Sequence, residues 1–289
     1  MKDLIITTIS SNYKWNEIGN WSKSLLRTGY SGDILIIAYN FESTDNDNLK
    51  RLQDLGIKNI LIPTFDMYGN DVGNKFIWHS GMINIQNSHT SVHNARLFHI
   101  WQYLNECQES YRYIISTDGR DTIFQTDPSD WLTKYCVRPM LVSSEGVTYE
   151  LETWNQNNLI TSFGIYLYEY LLKNVDVCNG GTFACNSKEL MANFCLTMYL
   201  MSLSGQQRDQ PAFNIVVRTM LKNDCQFVNL KDSWALQIGA RLNQSVDMSD
   251  IYYVKNNEIY CKQTNEPYCI VHQYDRISEL SDMINKKYE

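Results

Sequence analysis

The stretch Tyr111-Arg-Tyr-Ile-Ile-Ser-Thr-Asp118-Gly-Arg-Asp121-Thr-Ile-Phe-Gln125 limits what this chain can fold into more than any other. A β-branched and aromatic run without Gly or Pro, placed after a long helical pattern, reads as a buried central strand of an α/β sheet. It runs straight out into carboxylates. Ligands of open α/β sheets lie outside the carboxyl ends of the strands, so Asp118, Arg120 and Asp121 are expected to face a small molecule or a metal ion.

The segments before it fit such a sheet. Leu4–Ile9, Asp33–Tyr39 and Lys58–Ile62 read as strands, and Trp15–Thr28 and Asp47–Leu55 as helices closed by Gly29 and Gly56. This β-α-β-α-β opening predicts a parallel, right-handed, doubly wound half. Ser10-Ser11-Asn12, after the first strand, is a polar turn whose hydroxyls and N–H groups would meet a ligand or simply start the helix. Residues 64–90 break the rhythm with Gly69, Gly73 and Gly81, the kind of long loop that forms a lid or a binding loop. Its His79 and His89, with Trp78 nearby, lack metal-ligand spacing and read as solvated loop residues. From Ser91 to Cys107 a helix carries Val92, Ala95, Phe98, Trp101 and Leu104 on one stripe. Arg96, off that stripe with His99 and Tyr103, reaches either an anionic ligand or solvent.

After the Asp118 strand, Pro128 starts a short helix and Pro139–Val142 forms a strand that ends polar in Ser143-Ser144-Glu145-Gly146. Glu145 is thereby a second strand-end carboxylate. Residues 147–161 read as irregular and Ser162–Lys173 as a helix. Val175–Cys185 is a strand interrupted by Asn179-Gly180-Gly181, where adjacent glycines imply a bulge or a close backbone approach. Ser187 caps a helix to Leu203, and Asp209 precedes the Pro211-started run Ala212–Leu221, as a helix cap or a site residue. Cys225–Leu230 is a strand, and Ile251–Lys255 and Glu258–Lys262 form a hairpin through Asn256-Asn257. Tyr268–His272 is a last strand that breaks into Gln273-Tyr-Asp-Arg276 before a terminal helix to Tyr288.

Composition narrows the partners. At 289 residues with a net charge of -7 and no Lys/Arg cluster, the chain offers no nucleic-acid surface. The eight cysteines (107, 136, 178, 185, 195, 225, 261 and 269) form no C-x-x-C pair and read as reduced core thiols. With a strand beginning at once and no run of about 18 apolar residues, the expected location is cytoplasmic. Two carboxylates and an imidazole suit Mn²⁺ or Mg²⁺ better than structural zinc, and so few protein ligands leave room for phosphate oxygens.

Taken together, these motifs resemble those of the GT-A fold, nucleotide-sugar-dependent glycosyltransferases with an Asp-x-Asp type metal motif. The matching residues are Asp118-Gly-Arg-Asp121-Thr-Ile-Phe-Gln125-Thr-Asp-Pro128, Asn179-Gly180-Gly181-Thr-Phe, Asp209-Gln210 with Asn214, and Ile270-Val-His272-Gln-Tyr-Asp. The resemblance runs over nearly the whole chain. It implies a single domain over 1–289, with 1–125 as the nucleotide-binding half and 126–289 as the acceptor-binding half. The expected fold is a GT-A-like α/β domain with a mostly parallel, doubly wound central sheet and a small antiparallel hairpin near the C-terminus.

By the same resemblance, Thr8, Ser10, Ser11 and Asn12 would hold base and ribose, Arg96 and Arg120 would approach the donor, and Asp118 would touch ribose and metal. Asp121 and His272 would complete the metal site. Gly119, Gly180 and Gly181 would allow close approach, with Asp209, Gln210 and Glu145 near the reacting carbon or the acceptor hydroxyl. The implied reaction is sugar transfer from a nucleotide diphosphate sugar, a UDP-sugar first, to a glycan or other hydroxyl, leaning toward retention. One departure is that the second carboxylate of the motif arrives one residue late, behind Arg120. Asp118 and Asp121 share a face only if the chain turns at Gly119; otherwise Arg120 would replace the metal. A sugar nucleotidyltransferase is a second reading, although residues 10–16 lack the Gly-rich basic loop it needs. A non-catalytic glycan-binding protein on the same fold is a third.

Overall fold

The computed structural model describes residues 1–43, 45–78, 89–203, 209–243 and 247–289, the side chain of Asn243 excepted. His79 and Gly81 of the long loop, and residues 205–208 before Asp209, lie outside these. The strands are β1 Lys2–Ser10, β2 Asp33–Tyr39, β3 Asn59–Leu61, β4 Tyr111–Asp118, β5 Thr122–Phe124, β6 Met140–Thr148, β7 Asp176–Cys185, β8 Cys225–Val228, β9 Ala235–Gln237, β10 Tyr252–Lys255, β11 Glu258–Cys261 and β12 Ile270–His272. The helices are α1 Trp15–Arg27, α2 Asp47–Asp54, α3 Val92–Glu106, α4 Pro128–Tyr135, α5 Thr153–Phe163, α6 Ile165–Leu167, α7 Lys188–Ser202, α8 Asp209–Arg218, α9 Gly239–Asn243 and α10 Ser278–Tyr288.

The central sheet has seven strands in the order β3-β2-β1-β4-β7-β6-β8. β1, β2, β3 and β4 are parallel, β7 is antiparallel to β4 and to β6, and β8 is parallel to β6. Alternate strand residues feed two separate cores. Leu4, Ile6, Leu35, Ile37 and Ile114 pack with α3, α7 and α8 on one face. Ile5, Ile36, Ala38 and Ile115 pack with α1, α2 and α4 on the other. Both faces of the sheet are covered, which is why β1 and β4 read as continuous apolar runs rather than alternating ones. A smaller sheet, β5-β12-β9, and the antiparallel β10-β11 hairpin complete the molecule. Asn256 and Asn257 both have positive φ (53° and 58°), the left-handed pair that a two-residue hairpin turn requires. The expected mostly parallel sheet and C-terminal hairpin are therefore present.

Several expected boundaries differ. Residues 147–161, expected to be irregular, contain the end of β6 and most of α5. The helix expected over 162–173 is instead the end of α5, a break at Gly164, α6 and a π turn at Tyr168–Leu172. The cause is tertiary. The buried Glu152 carboxylate accepts from Asn155 N at 2.6 Å and starts a helix that the Asn- and Thr-rich sequence would not start alone. β6 runs on past Val142 through a register shift, so Glu145 lies inside a strand and not beyond its end. β5, β9 and α9, too short to show a period, were not expected.

All eight cysteines are free, six of them buried. Among the described residues no helix is long and apolar enough to cross a membrane.

Candidate active site

β4 ends at Asp118, and the bend at residues 119–121 carries the chain from the central sheet into β5 of the smaller sheet. This bend turns the late carboxylate inward. Gly119 makes it without a positive φ; its role is close approach, since a Cβ there would lie 2.6 Å from Thr8 O and 2.7 Å from Thr7 Oγ1. β12 pairs with β5, with His272 opposite Thr122, and so His272 arrives beside both aspartates. Its Nε2 lies 3.4 Å from Asp118 Oδ2 and 3.4 Å from Asp121 Oδ1.

His272 is held from behind. Its Nδ1–H donates to Gln237 Oε1 at 2.7 Å, and Gln237 Nε2 donates in turn to Thr182 Oγ1 at 2.5 Å. All three residues are buried. The amide fixes a proton on Nδ1 and turns Nε2 to the two carboxylates, where it makes no hydrogen bond of ordinary geometry; it carries a proton there in the cation-free protein and would give that proton up to act as a ligand. Burial opposes a charge on this imidazole, but Asp121 and Asp118 raise its pKa to about 10. Burial likewise opposes the charges on the aspartates, and Arg96 and His272 hold Asp118, and His272 holds Asp121, below the usual carboxylate range.

These residues fit a hard divalent cation. Asp118, Asp121 and His272 each offer a ligand atom, all within 4.8 Å of one another, and the orphaned Nε2 is oriented as a ligand would be. Gly181 keeps the place open. A Cβ there would lie 2.6 Å from Asp118 Oδ2 and 2.8 Å from His272 Cε1. Arg120 approaches one of the same carboxylates. Its Nη2 turns to Asp121 Oδ2 at 3.3 Å and Asp275 Oδ2 at 3.4 Å, at the edge of the cluster.

A cleft of about 340 Å³ opens over this cluster. It brings together Thr8, Arg96, Asp118, Gly119, Arg120, Asp121, Glu145, Gly180, Gly181, Asp209, Gln210 and His272. Ser10, Ser11 and Asn12 do not line it. Ser10 is buried, with its carbonyl accepting from Tyr13 N, while Ser11 N donates to Tyr39 O. Arg96 is not on a solvent face of α3. It bridges Asp118 Oδ1 at 2.6 Å and Asp209 Oδ2 at 2.5 Å with its side chain only 14% exposed. Asp209 starts α8 and also accepts from Gln210 N.

Glu145 sits in a net of amides. Its Oε1 accepts from Asn179 Nδ2 at 2.7 Å and Gln210 Nε2 at 3.1 Å, and its Oε2 from Asn155 Nδ2 at 3.4 Å. Burial pushes its pKa up to about 7 despite the Asn179 hydrogen bond. Gln210 Oε1 accepts from Gly180 N, and Asn179 Oδ1 accepts from Gly181 N. The two glycines thus have their N–H groups directed to side chains beside the cleft.

Sequence reading missed Tyr13, Trp78, His93, Trp154, Gln273 and Arg276 on the cleft walls, and Gln237 behind His272. Tyr13 and Trp78 meet edge to face with centroids 5.3 Å apart, and Trp78 leans on His93. Only Gln273 and Arg276 carried a usable signal, as members of the polar cluster after the last strand. Gln273 adopts φ 62°, uncommon outside glycine, and its Oε1 accepts from Gly239 N at 2.7 Å.

No known family model matches the chain, and no curated protein matches it. Solved structures do. The galactosyltransferase LgtC, in complex with donor and acceptor sugar analogues, superposes with a TM-score of 0.53 at 13% identity, covering 98% of this chain and 95% of that one. An active-site mutant of LgtC gives 0.52 at 14% identity, covering 96% and 95%. The bifunctional glycosyltransferase WbbM gives 0.50 at 15% identity, covering 81% of this chain, which spans only 39% of WbbM. At these identities the likeness is one of fold, and the chain shares its fold with glycosyltransferases.

Proposed function

We propose that the protein is a glycosyltransferase that moves a sugar from a nucleotide diphosphate sugar, a UDP-sugar before others, to a hydroxyl of a glycan or other acceptor. The reading rests on His272 Nε2, a buried ligand atom without a hydrogen-bond partner, set against two carboxylates at the carboxyl end of the central sheet. Asp118, Asp121 and His272 would hold Mn²⁺ or Mg²⁺, which when bound neutralises a departing diphosphate. The nucleotide-binding half, residues 1–125, would offer Thr8, Tyr13 and Trp78 to base and ribose. Arg120 and Arg276, both on the cleft wall, would face phosphate oxygens.

The engagement of the carboxylates supports one stereochemical reading over the other. Inversion needs a base on the acceptor hydroxyl. Asp209 is engaged by Arg96 and by Gln210 N, and both oxygens of Glu145 accept from amides. Retention, in which the departing phosphate oxygen takes the acceptor proton, fits this arrangement better. Gln210, with its amide between Glu145 and Gly180, would lie against the transferred sugar.

The test is a screen of nucleotide sugars for slow hydrolysis with Mn²⁺, followed by calorimetric titration of the matching nucleoside diphosphate with and without the metal. Hydrolysis of one donor and metal-dependent diphosphate binding are expected. The reading fails if no nucleotide binds and no donor is hydrolysed. Release of pyrophosphate from a nucleoside triphosphate and a sugar phosphate would show a nucleotidyltransferase instead. NMR of the fresh product's anomeric proton reads retention directly.

A further inference from the structure

Of the described non-glycine residues with positive φ, Gln273 is the one that lines the cleft, and it follows directly on His272. Five of the other six are asparagines, whose short polar side chain suits the left-handed region, and glutamine has no such local reason to be there. On backbone grounds alone the position would take glycine or asparagine. What the longer side chain touches therefore has to explain it.

In an extended strand consecutive side chains point to opposite faces. A φ of 62° is about half a turn from the extended value, which swings the Gln273 Cβ back to the side of His272, and both residues line the cleft. Two bonds hold it there. Gln273 N donates to Asp121 O at 2.7 Å, continuing the β5–β12 ladder by one residue, and Oε1 accepts from Gly239 N at 2.7 Å. A Cβ on residue 239 would run into the glutamine amide, so the second bond needs Gly239.

That bond fixes which way the amide faces. A backbone N–H is met only by an acceptor, so Oε1 is committed to Gly239 and Nε2, with two N–H donors, forms the other branch. Among the described residues Nε2 meets no acceptor, and the side chain lines the cleft. Its surroundings suit an anion. Arg120 Nη2 and Arg276 Nε both reach the Asp275 carboxylate, at 3.4 and 3.6 Å, and Asp121 and His272 adjoin Gln273 through the ladder bond and the chain itself. Phosphate oxygens carry several lone pairs each and accept from amides as well as from guanidinium groups. We infer that Gln273 is a binding residue for the donor, with Nε2 donating to an oxygen of the diphosphate while Oε1 stays on Gly239; this rests on the transferase reading above.

The probe is UDP, or GDP or ADP where the donor screen selects one of those, titrated calorimetrically at saturating Mn²⁺. Mn²⁺ alone is titrated into the same proteins. Gln273→Glu keeps the side-chain length and an acceptor for Gly239 N, and replaces only the donor end with an anionic oxygen. Gln273→Met removes the donor without adding charge. Nucleotide affinity should fall about tenfold in Gln273→Met and about 30-fold or more in Gln273→Glu. Mn²⁺ alone should bind Gln273→Met within about threefold of wild type, and Gln273→Glu should keep its Tm within about 2 °C. A purely structural glutamine reverses the order, leaving Gln273→Glu near wild type and Gln273→Met impaired. That order overturns the inference. So does a nucleotide affinity unmoved in both variants, with or without a raised KM for the nucleotide sugar, and so do equal losses of Mn²⁺ and nucleotide affinity. In each of these cases the wild-type protein still binds nucleotide with Mn²⁺, and the transferase reading stands. A wild-type protein that binds none of the three diphosphates and hydrolyses no donor removes that reading and this inference with it.

Discussion

Gln237 decides the chemistry of His272 from a position that makes no contact with the cleft. By accepting from Nδ1 it keeps Nε2 on the side of the aspartates, as the nitrogen that would lose its proton to a cation. Gln237→Leu removes that acceptor at nearly constant volume. Mn²⁺ affinity measured by calorimetry should fall about 10- to 100-fold, as other losses of an outer partner behind a metal-bound His do. An unchanged affinity would mean that the aspartates alone determine binding. Asp118, Asp121 and His272 were legible in the sequence, because each stands where a strand gives way to polar residues. Gln237 was not, since it lies on a three-residue strand with no period, and its pairing with His272 exists only through the β9–β12 contact. Trp154 was hidden for a related reason: it belongs to a helix that buried Glu152 and Asn155 start, and local propensity shows neither.

At the scale of elements, the decisive piece is the extension of β6 beyond Val142, which takes Glu145 into the interior. Its folded pKa of about 7 lies above the ordinary 4.5 because burial disfavours the charge. A carboxyl raised in this way contributes stability that is fully present below pH 4.5 and is lost as the pH climbs through 7. Thermal unfolding of the metal-free protein should show this component as a decline of Tm by roughly 5 °C over that interval. Glu145→Gln should lack that component of the slope. If the variant and the wild type follow parallel Tm curves, Glu145 is not the titrating group. None of this was legible in the residues themselves, because Ser143-Ser144-Glu145-Gly146 looks like a turn and only the pairing of β6 with β7 keeps it extended. Elements with strong periodicity, such as α1, β2 and the hairpin, were placed to within a residue or so.

For the whole molecule, Arg96 is the principal tie across the cleft among the described residues. It comes from α3, in the half ahead of the central motif, and pairs with Asp118 of β4 and Asp209 of α8. Arg96→Met should destabilise the fold by about 3 kcal/mol in denaturant unfolding, because two carboxylates are left facing each other without their cation. Adding Asp209→Asn to that variant should recover part of the loss. No recovery would show that the arginine acts through packing alone. The parallel half of the sheet was legible from its β-α-β rhythm. The reversed strand β7 was not, since orientation leaves no trace in a strand's own residues.

That reversal has a kinetic consequence. A parallel strand would enter the cleft only with its last residues, whereas β7 brings Asn179, Gly180 and Gly181 there from its middle, and Thr182 lies beside Thr117. The cation cluster needs β4, β7 with its Gly181 cradle, and β12, which stand far apart in the chain. Segments so far apart in the chain are expected to meet late, after the main folding barrier. Interactions missing from the transition state alter the escape rate and not the rate of arrival. Stopped-flow measurements should accordingly find refolding indifferent to Mn²⁺, and unfolding slower as its concentration rises.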